Sequence, residues 1–137
     1  MGPQESKEHP GLSAQIDKLV HYHEPERQPS DAPHAFIYFI TIHNQSESTV
    51  TLRGRRWVLR HADGHIHVVE GVGIVGKEPT LTPGERYIYN SYHMTHCDCI
   101  AQGSFHGIDS SGYRIHLRIP EIEMTIPADD RDHPQIP

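Results

Sequence analysis

The sequence predicts an all-β domain, an immunoglobulin- or fibronectin III-like sandwich of two antiparallel sheets with about seven to eight strands. Three observations lead there. Runs rich in aromatic and β-branched residues alternate at period two, beginning with Ala35-Phe-Ile-Tyr-Phe-Ile-Thr-Ile-His43. Turn chemistry separates these runs at short intervals, at Asn44-Gln-Ser-Glu-Ser48, Ala62-Asp-Gly64, Pro83-Gly84 and Asp109-Ser-Ser-Gly112. Proline and glycine number 11 each in 137 residues, and no long helical stretch fits between them.

Taken in order, residues 1–11 are polar and read as a frayed extension, and the sandwich is expected over residues 12–126. Leu12 to His23 forms a first strand whose alternation is untidy. In the next, Phe36, Tyr38, Ile40 and Ile42 share one face, while Ile37, Phe39, Thr41 and His43 take the other. Thr49-Val-Thr-Leu-Arg53 resumes a strand, and there the register slips. Val50 and Leu52 are even-numbered, Trp57 and Leu59 odd, with Gly54 between them. A one-residue bulge near Arg53-Gly54-Arg55 returns all four to the core side. Asp63-Gly64 signals a hairpin into His65-Ile-His-Val-Val69. Pro83-Gly84 leads into Glu85-Arg-Tyr-Ile-Tyr89. Ile100 to Ile108 and Tyr113 to Ile119 flank Asp109–Gly112 as a long final hairpin, with Tyr113, Ile115, Leu117 and Ile119 on one face. The core is therefore expected to hold Phe36, Tyr38, Ile40, Ile42, Trp57, Leu59, Phe105, Ile115 and Leu117. Residues 127–137 are charged and proline-punctuated, the composition of a flexible tail.

A chain of this length buries enough surface for one core without disulfides or structural metal. With 12 basic against 18 acidic residues, the formal charge is −6. Sequence-independent nucleic-acid binding needs a basic face to displace counterions, so no nucleic-acid partner is expected. No apolar run is long enough for a signal peptide or a membrane span, and a cytoplasmic, membrane-free location is the expectation. Cys97 and Cys99 are too close for an unstrained bridge, and on a strand they point to opposite faces.

From Phe36 onward the residues resemble the ApaG domain family. Phe36-x-Tyr38-x-Ile40-x-Ile42-x-Asn44 resembles its second strand, and Arg56-Trp57 followed by Asp63-Gly64 its next hairpin. Gly71-Val-Gly-Ile-Val-Gly76, Pro79, Leu81, Pro83-Gly84-Glu85 and Tyr89-x-Ser91 resemble its central signature. Gly103-x-Phe105, Gly112 and Ile119-Pro120 resemble the closing hairpin. The likeness spans residues 12–126. It departs where the family has a glycine and this chain has Tyr92, and again where the family's Pro- and Gly-bearing loop is replaced by His93-Met-Thr-His-Cys-Asp-Cys99. The resemblance implies a fibronectin type III-like sandwich without catalytic activity. It also implies kinship with bacterial proteins associated with cobalt resistance and magnesium efflux, and with partner-binding domains of larger eukaryotic proteins.

Two segments carry candidate chemistry. Gly71-Val-Gly-Ile-Val-Gly76 matches the dinucleotide fingerprint G-x-G-x-x-G, but Pro79 and Pro83 forbid the helix whose N-terminus would meet pyrophosphate. A weaker reading remains, an anion nest of backbone N–H groups at Gly71, Gly73 and Gly76 with Lys77 adding charge, suited to phosphate or pyrophosphate. The competing structural reading makes the glycines a tight crossover while Val72, Ile74 and Val75 plug the sandwich end. The second segment, His93, His96, Cys97 and Cys99, offers imidazoles and thiolates suited to zinc or cobalt. Cys-x-Cys is not the usual chelating spacing, and with 13 histidines in the chain some will lie close by chance. His61, His65 and His67 bracket the Asp63 turn as a further His set, with His65 and His67 on one strand face. No nucleophile signature or paired carboxylates point to hydrolysis.

The residues thus predict a non-catalytic binding domain with no cofactor, engaging a protein partner or a small anion. A metal-binding protein using the His/Cys loop is the alternative. Open sheet edges also make a homodimer through an edge strand an expectation.

Overall fold

The computed structural model describes residues 6–23 and 33–128. Among them are nine strands and no α-helix. In chain order they are β1 (Lys7–Glu8), β2 (Leu12–His23), β3 (His34–Asn44), β4 (Val50–His61), β5 (Ile66–Val72), β6 (Thr80–Leu81), β7 (Arg86–Thr95), β8 (Cys99–Asp109) and β9 (Arg114–Met124). One sheet has the order β2-β3-β7. The other runs β1-β9-β8-β4-β5, with β6 on the same edge of β4 that β5 occupies further along. All pairings are antiparallel except the short β1–β9 contact. This is the predicted immunoglobulin-like sandwich, and the two-residue strands β1 and β6 raise the strand number slightly.

The expected core is present. Ile40, Ile42, Trp57 and Phe105 are wholly inaccessible, and Phe36, Tyr38, Leu59, Ile115 and Leu117 are nearly so. Tyr38, Trp57, Tyr89 and Phe105 form its aromatic centre, with Tyr38 and Trp57 centroids 5.1 Å apart and Tyr89 edge-on to Phe105. The slip in β4 is a bulge against β8 between Leu52 and Gly54, so Val50, Leu52, Trp57 and Leu59 are all buried. The untidy pattern of β2 has the same cause, an irregularity between Ile16 and Lys18. The intervening Asp17 accepts a hydrogen bond from the Thr41 hydroxyl at 2.5 Å. A third irregularity opposes Ala101–Gly103 to Ile119–Ile122, where Pro120 gives up a ladder donor.

Asn44 closes β3 with every polar atom used. Its amide donates to Ser48 O and Leu81 O at 2.8 and 2.9 Å, and its Oδ1 accepts from the Ser46 N–H and hydroxyl. One buried side chain therefore pins both the β3–β4 turn and β6.

Four details differ from the sequence reading. Lys7–Glu8, inside the expected extension, pairs with Ile115 and His116 of β9. Tyr113 precedes β9 and is exposed rather than continuing its inner face. At the glycine crossover only Ile74 fills the sandwich end; Val72 and Val75 face solvent. Strand β7 runs on through Tyr92, His93 and Met94 to Thr95, because β3 continues opposite it as far as His34. The tail expected over 127–137 falls mostly outside the described residues.

Candidate functional site

β4 carries candidate chemistry at both ends. At its start, β5 arrives through Gly71 and Val72 and turns over. The Gly73 N–H donates to Arg53 O at 2.6 Å, Ile74 N–H to Lys77 O at 2.7 Å, and Lys77 N–H to Ile74 O at 3.1 Å. Between the last pair, Val75 and Gly76 have φ of 49° and 79°, so both central positions of this two-residue turn are left-handed. Gly73 also needs its glycine, since φ is 73° and a Cβ would stand 2.8 Å from Lys77 O. Gly71 serves a different purpose. The Arg55 guanidinium lies where its side chain would be, and Arg55 Nη1 donates to Gly73 O at 3.1 Å. Gly71, Gly73, Gly76 and Lys77 are thus gathered in one compact crossover, as the sequence suggested. Three N–H groups of that crossover already donate to backbone carbonyls, and Val75, Gly76 and Lys77 form the exposed tip.

At the far end of β4, the residues of the His/Cys segment part company. His93 points into the core, stacked on Tyr38 at 4.9 Å and edge-on to Trp57 at 4.7 Å. Burial, with His67 and Arg55 adding repulsion, pushes its imidazole down to about 4, and Nε2 has no hydrogen-bond partner among the described residues. Cys99 begins β8 and is buried. Burial first, then Cys97 and Asp63, pushes its thiol up to about 11.

His96 and half-buried Cys97 stay in the turn between β7 and β8, and there they meet His61, the last residue of β4. One donor atom from each of His61, His96 and Cys97 lies within 4.8 Å of the other two. The His61–Cys99 pairing creates this encounter by setting the end of β4 beside the start of β8, directly after the turn that carries His96 and Cys97. His61 and His96 stack at 5.7 Å. His61 Nδ1 is 3.0 Å from Thr95 Oγ1, whose hydroxyl donates to Cys97 O at 2.7 Å. His96 Nε2 is 2.9 Å from Asp63 Oδ2. The His61 imidazole is held below its usual range by burial first and by neighbouring His96, partly offset by Asp63. The Asp63 carboxyl is lowered by the His65 N–H and then by His96. A cleft of about 580 Å³ opens beside these groups, its lining including His61, His65, Ile66, His67 and His96. Within the original four residues, His96 and Cys97 come together, while His93 and Cys99 turn inward. His61 was visible only as part of the neighbouring turn.

The family model for the ApaG domain matches residues 24–108. Protein ApaG of Shewanella pealeana is 33% identical over 117 residues, covering 85% of this chain and 93% of that protein. Protein ApaG of Xanthobacter autotrophicus is 32% identical over 114 residues, covering 82% and 88%. In fold, the crystal structure of an ApaA protein from Bordetella pertussis matches with a TM-score of 0.75 at 23% identity, covering 90% of this chain and 99% of that one.

Proposed function

The chain belongs to the ApaG domain family, and from that premise we propose that it is a non-catalytic binding domain that takes a protein partner along β5. The carrying observation is the outward face of that strand. Ile66, Val68 and Val72 share that face, with Glu70 between the last two, and are 58%, 43% and 81% exposed. Through Arg60, Ile66 lies in one row with Ile100, which is also exposed. β5 ends its sheet, so a line of backbone donors and acceptors is open beside these apolar side chains. An extended segment added there gains main-chain hydrogen bonds for affinity and side-chain contacts for selectivity. A second copy of the chain, β5 against β5, satisfies the same requirements.

The family resemblance suggests that such binding serves divalent-cation physiology inside the cell. Among the described residues no helix is long and apolar enough to cross a membrane. A small anion at the Gly71–Lys77 crossover is supported by the exposed Val75–Gly76 tip and Lys77, a smaller set of donors than a full nest.

Affinity capture with Val68→Glu tests the partner reading. The variant should lose the partners held by the wild-type domain while melting within a few degrees of it, and Lys77→Ala should keep them. Sedimentation at rising concentration detects the β5–β5 dimer, which Val68→Glu should also abolish. An unchanged partner set and unchanged association in Val68→Glu would remove β5 from consideration.

A further inference from the structure

We propose that His61, His96 and Cys97 form a binding site for one thiophilic divalent cation of the zinc class, with a fourth coordination position left open to water. Three observations converge on it. The donor atoms already lie within 4.8 Å of one another, although His61 stands 35 residues before the adjacent pair His96–Cys97. Bonds of about 2.0–2.3 Å at tetrahedral angles require donor separations of about 3.3–3.8 Å, so closure asks for roughly 1 Å of side-chain movement. His96 and its partner Asp63 are both about half-exposed at the surface, which leaves room for that movement.

The second observation is the hydrogen bonding behind the ligands. The Thr95 hydroxyl gives its proton to Cys97 O, so its oxygen accepts from His61 Nδ1–H. His61 is then the tautomer with its lone pair on Nε2. His96 gives its Nε2–H to Asp63, which leaves the lone pair on Nδ1. Both imidazoles therefore have one nitrogen engaged with oxygen and the other available, the supporting arrangement that metal-ligating histidines adopt. Thr95 is itself buried, and its hydroxyl also receives the Cys97 N–H at 3.3 Å, so a single side chain positions two of the three ligands.

The third is the donor set. Two imidazoles and one thiolate suit zinc and cobalt(II) and are foreign to magnesium and calcium, which take oxygen. On binding, the Cys97 thiol proton leaves to solvent and sulfur bonds to the metal as thiolate, so affinity rises with pH. Ile66 lines the same cleft, so the site adjoins the end of the β5 surface, but none of its three ligands belongs to that surface and Val68→Glu leaves them all in place.

Metal-free, untagged protein titrated with cobalt(II) tests it. A thiolate-to-cobalt charge-transfer band should grow to an endpoint at one equivalent and bleach when zinc is added. Cys97→Ser should abolish the band, and His96→Ala should weaken binding at least tenfold. Asp63→Asn should keep the band but lower affinity by about 10–100-fold, the usual effect of losing a supporting carboxylate. Cys99→Ser should leave the band in place. Cobalt held by histidines alone gives no thiolate charge transfer, so background binding is distinguishable. Absence of the band, its survival in Cys97→Ser, or its dependence on Cys99 overturns the assignment.

Discussion

The two ends of β4 solve opposite problems. At its start, the Gly71–Lys77 crossover carries a well-known sequence pattern, yet its backbone donors are largely consumed in closing the turn on itself. At its end, His61, His96 and Cys97 belong to no contiguous motif, yet one donor atom of each meets the others, with each imidazole hydrogen-bonded through one ring nitrogen. Glycine spacing describes the path of the backbone, and that path has many uses besides holding a ligand. Convergence of donor atoms from distant strands is a property of the fold.

The largest expected effect tests whether the ends share one frame. Trp57 lies between them on β4 and is fully inaccessible, so Trp57→Ala should cost about 3–5 kcal/mol in urea unfolding. Both ends should lose amide protection together; a loss confined to one end would separate them. Next is acid. The buried His93 titrates near 4 in the folded protein and at 6.5 when unfolded, so below pH 6.5 the unfolded chain binds the extra proton. Stability should be full above pH 6.5 and fall by about 3 kcal/mol as pH drops to about 4. His93→Phe, which keeps an aromatic ring against Tyr38, should flatten that slope; an unchanged slope would mean that other groups carry it.

Smaller effects sharpen the glycine end. Gly73→Ala combines a left-handed φ with a backbone collision and should cost about 2–3 kcal/mol. Gly76→Ala meets open space and should cost only about 1 kcal/mol. Equal penalties at the two positions would contradict the tight Ile74–Lys77 closure. The least effect is expected from pyrophosphate. Any rise in melting temperature should be slight, reduced by salt and by Lys77→Ala. A large, saltable shift would restore the crossover as a genuine anion site.

Much of the sandwich was legible because period-two burial leaves a direct trace. Phe36, Tyr38, Ile40 and Ile42 alternate without interruption, and the parity change between Leu52 and Trp57 could only be reconciled by a bulge. Strand β7 was harder to extend, since Asn90, Ser91, Tyr92 and His93 lack β-branched apolar character; pairing with β3 carries the strand through them. The His/Cys segment misled in a specific way. Proximity in sequence grouped His93 and Cys99 with His96 and Cys97, but alternation along β7 and the start of β8 send the former two inward. His61 joins the others through the pairing of β4 with β8, which no local spacing records.

The parallel contact of β1 with β9 also sets an order in time. Lys7 and Glu8 pair with Ile115 and His116; the His9 N–H donates to His116 O at 3.0 Å, and Ser6 Oγ is 2.8 Å from His116 Nδ1. During translation, Ser6 to His9 emerge early, and their partners follow about 100 residues later, after roughly 5–20 s at ordinary elongation rates. Throughout that interval β1 lacks its β9 partner, and the pairings of β4 with β5 and β8 do not depend on it. Closing this long loop is then a late step, completed only when the last hairpin has left the ribosome.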